Sequence, residues 1–376
     1  MALQGPAQAA TPGWEMGAMS VPQAQKTSQG AGITVAVLDT GIQTNHPALK
    51  GRATEGPDIL GGADKTASSY GDHGTAMASN VLEVAPQAKV LGLRVLSDDN
   101  AGSEQTLTDG IRYAAEHGAD VISISLGMEG ISASFDSELD AAVQYALAKG
   151  IPVVNGAGNS GDVENMDDNE VAFPSGDPGV VTVAAVNSGG QRVSFSTVHN
   201  YVDVAAPGAD VTAAKAGTQG TDLIDGTSPA TALTAGVVAL IRAKHPQLAP
   251  YQITQVLERT ASTRKQGYNP QTGYGTVNAQ AALAAAAELK PAKSMPVGST
   301  GAGKHFGSGD DGTSARVPYG MDSELTLVAV AFAAIGLLVC VGGFFLFRSG
   351  RRKRREWEQQ QRQGVGAPQP PSMVSY

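Results

Sequence analysis

Gly32-Ile33-Thr34-Val35-Ala36-Val37-Leu38-Asp39-Thr40-Gly41 is the stretch on which the reading of this chain turns. From Ile33 to Leu38 it is apolar and rich in β-branched residues, without polar alternation. That pattern describes a strand buried on both faces, as in a parallel sheet. Asp39 follows at once, and Gly41 permits a turn. Open α/β sheets gather their ligands and chemistry at this end of their strands. Asp39 therefore reads either as a turn residue bonded to its own backbone or as an acid with a chemical task.

The segments downstream alternate in kind. Lys89 to Leu96 reads as a strand, Ser103 to His117 as a helix closed by Gly118, and Val121 to Ser125 as a strand. Ser137 to Lys149 reads as a helix closed by Gly150, and Ile151 to Asn155 as a further strand. Glycines just past helix ends are stop signals. Such βαβα order predicts a mainly parallel central sheet with helices on both faces. The pattern ends in an alanine-rich helix, Ala279 to Ala287, and no internal repeat is visible.

Pro229 to Lys244 is apolar or small almost all round, so it predicts a helix buried in the core. Ser228 immediately precedes it in Asp225-Gly226-Thr227-Ser228-Pro229-Ala230, and Pro229 suits a first turn. A serine here meets free N–H groups and the positive end of the helix dipole, a setting that stabilises an oxyanion. Taken alone, Gly-Thr-Ser reads as a cap. A nucleophile would need a base and a group to orient it. Of the six histidines, His46 and His199 fall in loops, His117 and His245 close helices, and His305 lies in a Gly-rich stretch. His73 opens a small-residue helix in Gly71-Asp72-His73-Gly74-Thr75 and is the best candidate base. Ile151-Pro152-Val153-Val154 runs into Asn155-Gly156-Ala157-Gly158-Asn159-Ser160-Gly161. Asn159 in that turn is either a turn residue or an amide donor to an oxyanion. Asp39-Thr40-Gly41 also matches the aspartic proteases, but those need two such carboxylates and no second copy occurs, so only a homodimer would serve.

Asp39, His73, Asn159 and Ser228, each in its own context, resemble the subtilisin-like serine proteases (subtilases) over roughly residues 30 to 287. Val37 to Gly41, His73-Gly74-Thr75, Ser123 to Gly127, Ala157 to Gly161, Ala205-Ala206-Pro207-Gly208, Gly226-Thr227-Ser228 and Gly273 to Ala279 take part. The resemblance implies a subtilisin-like three-layer α/β fold and a serine endopeptidase. Ser228 would attack, His73 would shuttle the proton, Asp39 would orient His73, and Asn159 would hold the oxyanion. Ser125, Leu126 and Gly127, with Ala157 and Gly158, would bind substrate, the first three as an edge strand. Ala76 replaces the family's usual second histidine. Pro229 and Ala232 replace its usual Met or Phe and later proline. No cofactor is required; structural calcium is compatible with the family. The alternative is a scaffold that keeps the fold without catalysis, although a scaffold has no need of all four residues.

Organisation is read as an N-terminal extension (1–30), a peptidase domain (31–287), a flexible linker (288–324), a transmembrane helix (325–347) and a basic cytoplasmic tail (348–376). Leu325 to Phe347 has no charged residue, and as a helix it spans roughly 34 Å, enough for a hydrocarbon core of ~30 Å. Arg348 and the basic run Arg351 to Arg355 directly follow it, which places that end in the cytoplasm and the peptidase outside. The chain has net charge −9, and its acidic balance outside the tail argues against nucleic acid. Expected partners are protein or peptide substrates, membrane lipid and secretion-system membrane components. Cys340, the single cysteine, lies within the apolar span, so no intrachain disulfide is expected. The first thirty residues are too few for the family's large folding propeptide; they show no signal peptide, which conflicts with an exported domain unless a leader is missing from this chain or the export route is unusual. A membrane-tethered subtilase of this layout resembles the mycosins of type VII secretion systems. Asp162, Glu164, Asp167, Asp168 and Glu170 form an acidic loop that is either simply solvated or an attractor of basic substrate residues.

Overall fold

The computed structural model describes residues 13–99, 101–127, 138–161, 172–263 and 267–292. A seven-stranded parallel sheet forms the centre, in the order β2-β3-β1-β4-β5-β6-β7. The strands are β1 (Thr34–Asp39), β2 (Ala53–Asp58), β3 (Lys89–Arg94), β4 (Val121–Ile124), β5 (Val153–Gly156), β6 (Val181–Val186) and β7 (Val204–Pro207). The pair β8 (Val211–Ala214) and β9 (Thr221–Ile224) forms a separate antiparallel ribbon.

Both faces are covered, as the continuous apolar run predicts. In β1, Val35 and Val37 point into one core with α3 (Asp72–Val84) and α6 (Thr227–Lys244). Ala36 and Leu38 point into a second core with α4 (Glu104–Glu116) and α5 (Glu138–Ala148). The subtilisin-like α/β architecture with a mainly parallel sheet is thus observed. Ser103 caps α4 by accepting from Thr106 N, and His117 stands at its C-cap. His245 stands likewise at the end of α6.

Helix α6 begins two residues earlier than the sequence suggests. Gly226 is its N-cap, and Ser228 lies inside the first turn rather than before it. Pro229 is tolerated there because the first turn has no intrahelical use for its N–H. At its middle, α6 crosses α3 closely: a Cβ on Gly236 would lie 2.6 Å from Val84 Cβ.

The N-terminal extension contributes two short helices, α1 (Trp14–Ala18) and α2 (Val21–Ala24), whose Met19, Val21 and Ala24 are buried in the α3/α6 core. Two further helices, α7 (Pro250–Thr260) and α8 (Ala279–Glu288), close the same side. Among the described residues no helix is long and apolar enough to cross a membrane. Residues 325–347, the linker from 293 on, the tail and residues 162–171 with the acidic loop lie outside the described residues, while Glu288, read as the start of the linker, is the last residue of α8.

Candidate active site

Asp39 is the last residue of β1 and is fully buried. Thr40 N donates to its Oδ1 at 2.7 Å. His73 is the second residue of α3, and its Nδ1 lies 2.8 and 2.9 Å from the two Asp39 oxygens. An ionised carboxylate only accepts, so Nδ1 carries the proton and Nε2 is left to act as a base. The close approach of α3 to β1 requires Gly74, where a Cβ would fall 2.1 Å from the Gly41 carbonyl oxygen. The start of α3 is secured by side chains from its surroundings. Asp98 accepts from Gly71 N and Thr40 Oγ1 accepts from Gly74 N, while Asp72 accepts from Ala216 N in the turn after β8.

The His73 side chain is 36% exposed, so one edge of the ring faces solvent. Burial opposes its protonated form, but the Asp39 charge and hydrogen bond, helped by Asp72, outweigh that and raise its pKa above the ordinary histidine value.

Ser228 comes from the start of α6, which packs on the same face of the sheet as α3. The free N–H groups at the start of α6 can be accounted for one by one. Gly226 N donates to Gly208 O, Thr227 N donates to Asn159 Oδ1 at 2.9 Å, and Pro229 has none. The Ser228 N–H is the remaining donor, and it lies at the positive end of the helix. Gly226 adopts φ 147°, ψ 166°, which only glycine takes readily, and Asn159 Nδ2 lies 3.7 Å from where its Cβ would be. Because Thr227 N can only donate, the Asn159 oxygen must face it. Thr227 Oγ1 donates to the same oxygen at 3.0 Å. Asn159 Nδ2 is therefore turned away from Thr227 as a second donor beside the Ser228 N–H.

The hydroxyl of Ser228 donates to the Ser125 carbonyl at 3.0 Å, and Ser125 Oγ donates back to the Ser228 carbonyl at 3.3 Å. Among the described residues His73 is hydrogen-bonded to Asp39 alone. Ser228 thus rests against Ser125, just past the end of β4. Ser125 is buried, Leu126 is half-buried and Gly127 is exposed, so this stretch passes from core to surface at the site. Ala157 is buried against Ala184, Val186, Val202 and Ala205, which leaves only its backbone to offer a ligand. Gly158 follows at φ 105° and its carbonyl accepts from Thr197 N.

The structure thus brings Asp39, His73, Asn159 and Ser228 to one edge of the sheet. Sequence reasoning missed Thr227, Thr40 and Asp72, whose contacts fix the others. All three stand next to a chosen residue, Asp39, His73 or Ser228, and that adjacency was the only available signal. Of the other described histidines, His46 Nε2 contacts Gly220 O and His117 stacks on Tyr113, both away from Asp39 and Ser228.

The sequence matches the Subtilase family over residues 30–276. Subtilisin NAT from Bacillus subtilis subsp. natto is 37% identical over 269 residues, 67% of this chain and 66% of that protein. Thermitase from Thermoactinomyces vulgaris is 34% identical over 275 residues, 70% of this chain and 93% of that protein. Among solved structures, MycP1 with its N-terminal propeptide removed is 30% identical with a TM-score of 0.64, covering 76% of this chain and 99% of that one. The MycP3 protease from the type VII (ESX-3) secretion system is 29% identical with a TM-score of 0.63, covering 74% of this chain and 89% of that one.

Proposed function

The chain belongs to the subtilase family and is a subtilisin-like serine endopeptidase, and from that premise we propose that Asp39, His73 and Ser228 are its catalytic triad and Asn159 its oxyanion donor. The observation behind this is the Asp39–His73 pair, beside the serine whose N–H is the uncommitted donor of the first turn of α6. Ser228 Oγ turns from the Ser125 carbonyl toward His73 Nε2, gives up its proton there and attacks the scissile carbonyl carbon. The oxyanion forms between the Ser228 N–H and Asn159 Nδ2. His73 then returns the proton to the leaving amine, and an acyl-enzyme remains on Ser228. Water, deprotonated by His73, releases the acid. Substrate backbone lies along Ser125, Leu126 and Gly127 and beside Ala157 and Gly158, freeing the Ser125 carbonyl as Ser228 turns. This chemistry uses no cofactor. A single Asp-Thr-Gly bonded to a histidine leaves no role for an aspartic-protease pair.

Labelling of the purified full chain by a fluorophosphonate tests the assignment. Labelling on Ser228 supports it. Inertness to the probe together with pepstatin sensitivity sinks it, and inertness to both leaves the scaffold reading.

The likeness to MycP1 and to MycP3, a protease named for a type VII secretion system, supports a finer reading. The peptidase is held on the outer face of a membrane by 325–347, with 348–376 in the cytoplasm and 288–324 as a flexible tether. There it acts on proteins emerging from such a system. The charge asymmetry around the apolar run sets the orientation. Protease added to intact cells should cut the tether and spare a C-terminal tag. A protected peptidase domain with a cleaved tag would reverse the topology and end the secretion reading.

A further inference from the structure

The turn that follows Asp39 runs directly against the start of α3. A Cβ on Gly71 would lie 2.8 Å from the Gly41 carbonyl carbon and 2.9 Å from Ile42 N. Gln43 leaves that turn with both polar atoms of its side chain engaged. Its Nε2 donates to the Ser68 and Tyr70 carbonyls, each at 3.0 Å. Its Oε1 accepts from Gly217 N at 2.9 Å. Its backbone N–H donates to Thr75 Oγ1 at 2.8 Å. The two carbonyls can only accept and the Gly217 N–H can only donate, so these partners fix which way the amide faces.

Three segments distant in sequence therefore meet on one side chain. Gln43 belongs to the turn leaving β1. Ser68 and Tyr70 belong to residues 59–71, which lead from β2 to α3 without a helix or strand of their own. Gly217 lies between β8 and β9 and seats on the same lead, since a Cβ on it would fall 2.8 Å from the Ser68 carbonyl oxygen. A stretch that lacks a ladder of its own takes its place from such outside contacts. The lead in turn sets the helix. Thr75 N donates to Gly71 O in the first turn of α3, and His73 is the second residue of that helix, three beyond Tyr70. A small displacement of a catalytic group costs rate steeply.

We propose that Gln43 is a positioning residue for His73, a role that presupposes His73 as the base: its amide pins Ser68 and Tyr70 to the turn after Asp39, so that α3 begins where the imidazole meets the Asp39 carboxylate. Gln43 hydrogen-bonds to none of Asp39, His73 and Ser228 among the described residues and acts through backbone alone. The bond from Gly217 also ties the lead to the β8–β9 ribbon, from which the chain passes through Asp225 and Gly226 to Ser228.

Gln43→Met tests this on the full chain, because it keeps the length of the side chain and removes all three amide hydrogen bonds. With active sites counted by fluorophosphonate titration, kcat should fall on the order of tenfold, the scale of one or two neutral hydrogen bonds, with KM unchanged. Asp39 and Asp72 hold the His73 pKa up, so a loosened Asp39–His73 contact should move the acid limb of kcat/KM to lower pH. The proton NMR resonance of His73 Nδ1–H should shift in the folded variant. Gln43→Glu keeps the bond from Gly217 and loses those to Ser68 and Tyr70, so it should lose kcat as well. Asn278→Ala, which removes the cap of α8, is the control for lost stability. It should lower the melting temperature and leave kcat, the acid limb and the resonance in place. An unmoved resonance and acid limb in Gln43→Met would overturn the proposal, whatever kcat does. So would parental kcat in Gln43→Glu, which would place the effect at the ribbon, or the same changes in Asn278→Ala, which would assign them to stability. A parent chain inert to the fluorophosphonate would remove the triad assignment instead, and the resonance, read without turnover, would still decide whether Gln43 sets the place of His73.

Discussion

Asp39 meets His73 Nδ1 with both carboxylate oxygens, at 2.8 and 2.9 Å, whereas Ser228 Oγ donates to the Ser125 carbonyl at 3.0 Å. In one half of the proposed site the two side chains are paired at rest; in the other the serine hydroxyl is bonded to a backbone carbonyl rather than to the histidine. The difference follows from what each half is built on. Asp39 and His73 sit on a buried strand end and a helix start that touch at Gly74, so their geometry is fixed by backbone packing. Ser228 sits on an equally rigid helix, but its hydroxyl has a second acceptor within reach. Of the two proposed oxyanion donors, the Ser228 N–H is fixed by the start of α6 and the Asn159 amide is held by Thr227, whereas the proposed nucleophile is held by one hydroxyl hydrogen bond. Electrostatic catalysis depends on that kind of prior arrangement, since dipoles already in place need no reorganisation during reaction.

The severest way to break the comparison is to remove the mobile element. Ser228→Ala should lower kcat by about 10⁶-fold, the scale of loss when a subtilisin is stripped of its nucleophile. Fluorophosphonate labelling should vanish while the melting curve stays in place. Retained labelling would mean that another residue is the nucleophile, and the reading of the second half would collapse.

Breaking the rigid half should cost less. Asp39→Asn keeps the shape but can leave the wrong imidazole nitrogen protonated, and a loss of about 10⁴-fold in kcat is expected. The pH profile adds a sign. His73 must be neutral to accept the Ser228 proton, and its pKa stands above the ordinary histidine value because of Asp39 and Asp72, against the effect of burial. In the parent, kcat/KM should therefore fall on acidification at a pH above that of an ordinary histidine. In Asp39→Asn the residual activity should fall at a lower pH. An acid limb that stays where it was would show that Asp39 does not govern His73.

The oxyanion donors come third. Asn159→Ala should reduce kcat by about 10²–10³-fold with little change in KM, the scale known for such a donor in a subtilisin. The oxyanion exists only in the transition state, so ground-state binding should not notice the loss. A raised KM with normal kcat would demote Asn159 to a substrate contact.

How far the sequence revealed these halves differs too. β1 and Asp39 were legible because a strand buried on both faces carries an unbroken apolar run. α6 was legible from its lack of a polar face, but its start was misplaced because Pro229 was read as the first helical residue, whereas Thr227 and Ser228 already belong to the helix. β2 escaped notice: Ala53–Asp58 contains Glu55, Gly56 and Pro57, and its place at the sheet edge tolerates them. α1 and α2 are too short to show periodicity, and tertiary packing of Met19, Val21 and Ala24 sustains them. The roles of Asp39, His73, Asn159 and Ser228 were inferred from family-like contexts. Their supports were not visible, because Thr227–Asn159 and Asp72–Ala216 join positions far apart in the chain.

Thr227 offers the finest test of the comparison. It holds the Asn159 oxygen with two donors, its backbone N–H at 2.9 Å and its hydroxyl at 3.0 Å. Thr227→Val removes only the hydroxyl and keeps the branched shape in a buried place. One neutral hydrogen bond is worth roughly 1 kcal/mol, so kcat should fall about fivefold, with KM unchanged and the active fraction counted by fluorophosphonate titration. Thr227→Ser, which restores the hydroxyl, should recover most of the rate. A loss as large as that of Asn159→Ala would mean that the backbone N–H cannot orient the amide alone, and that the oxyanion donors are not fixed by the start of α6. No loss at all would mean that the backbone fully determines the amide, leaving rotation of Ser228 as the single adjustable step in the site.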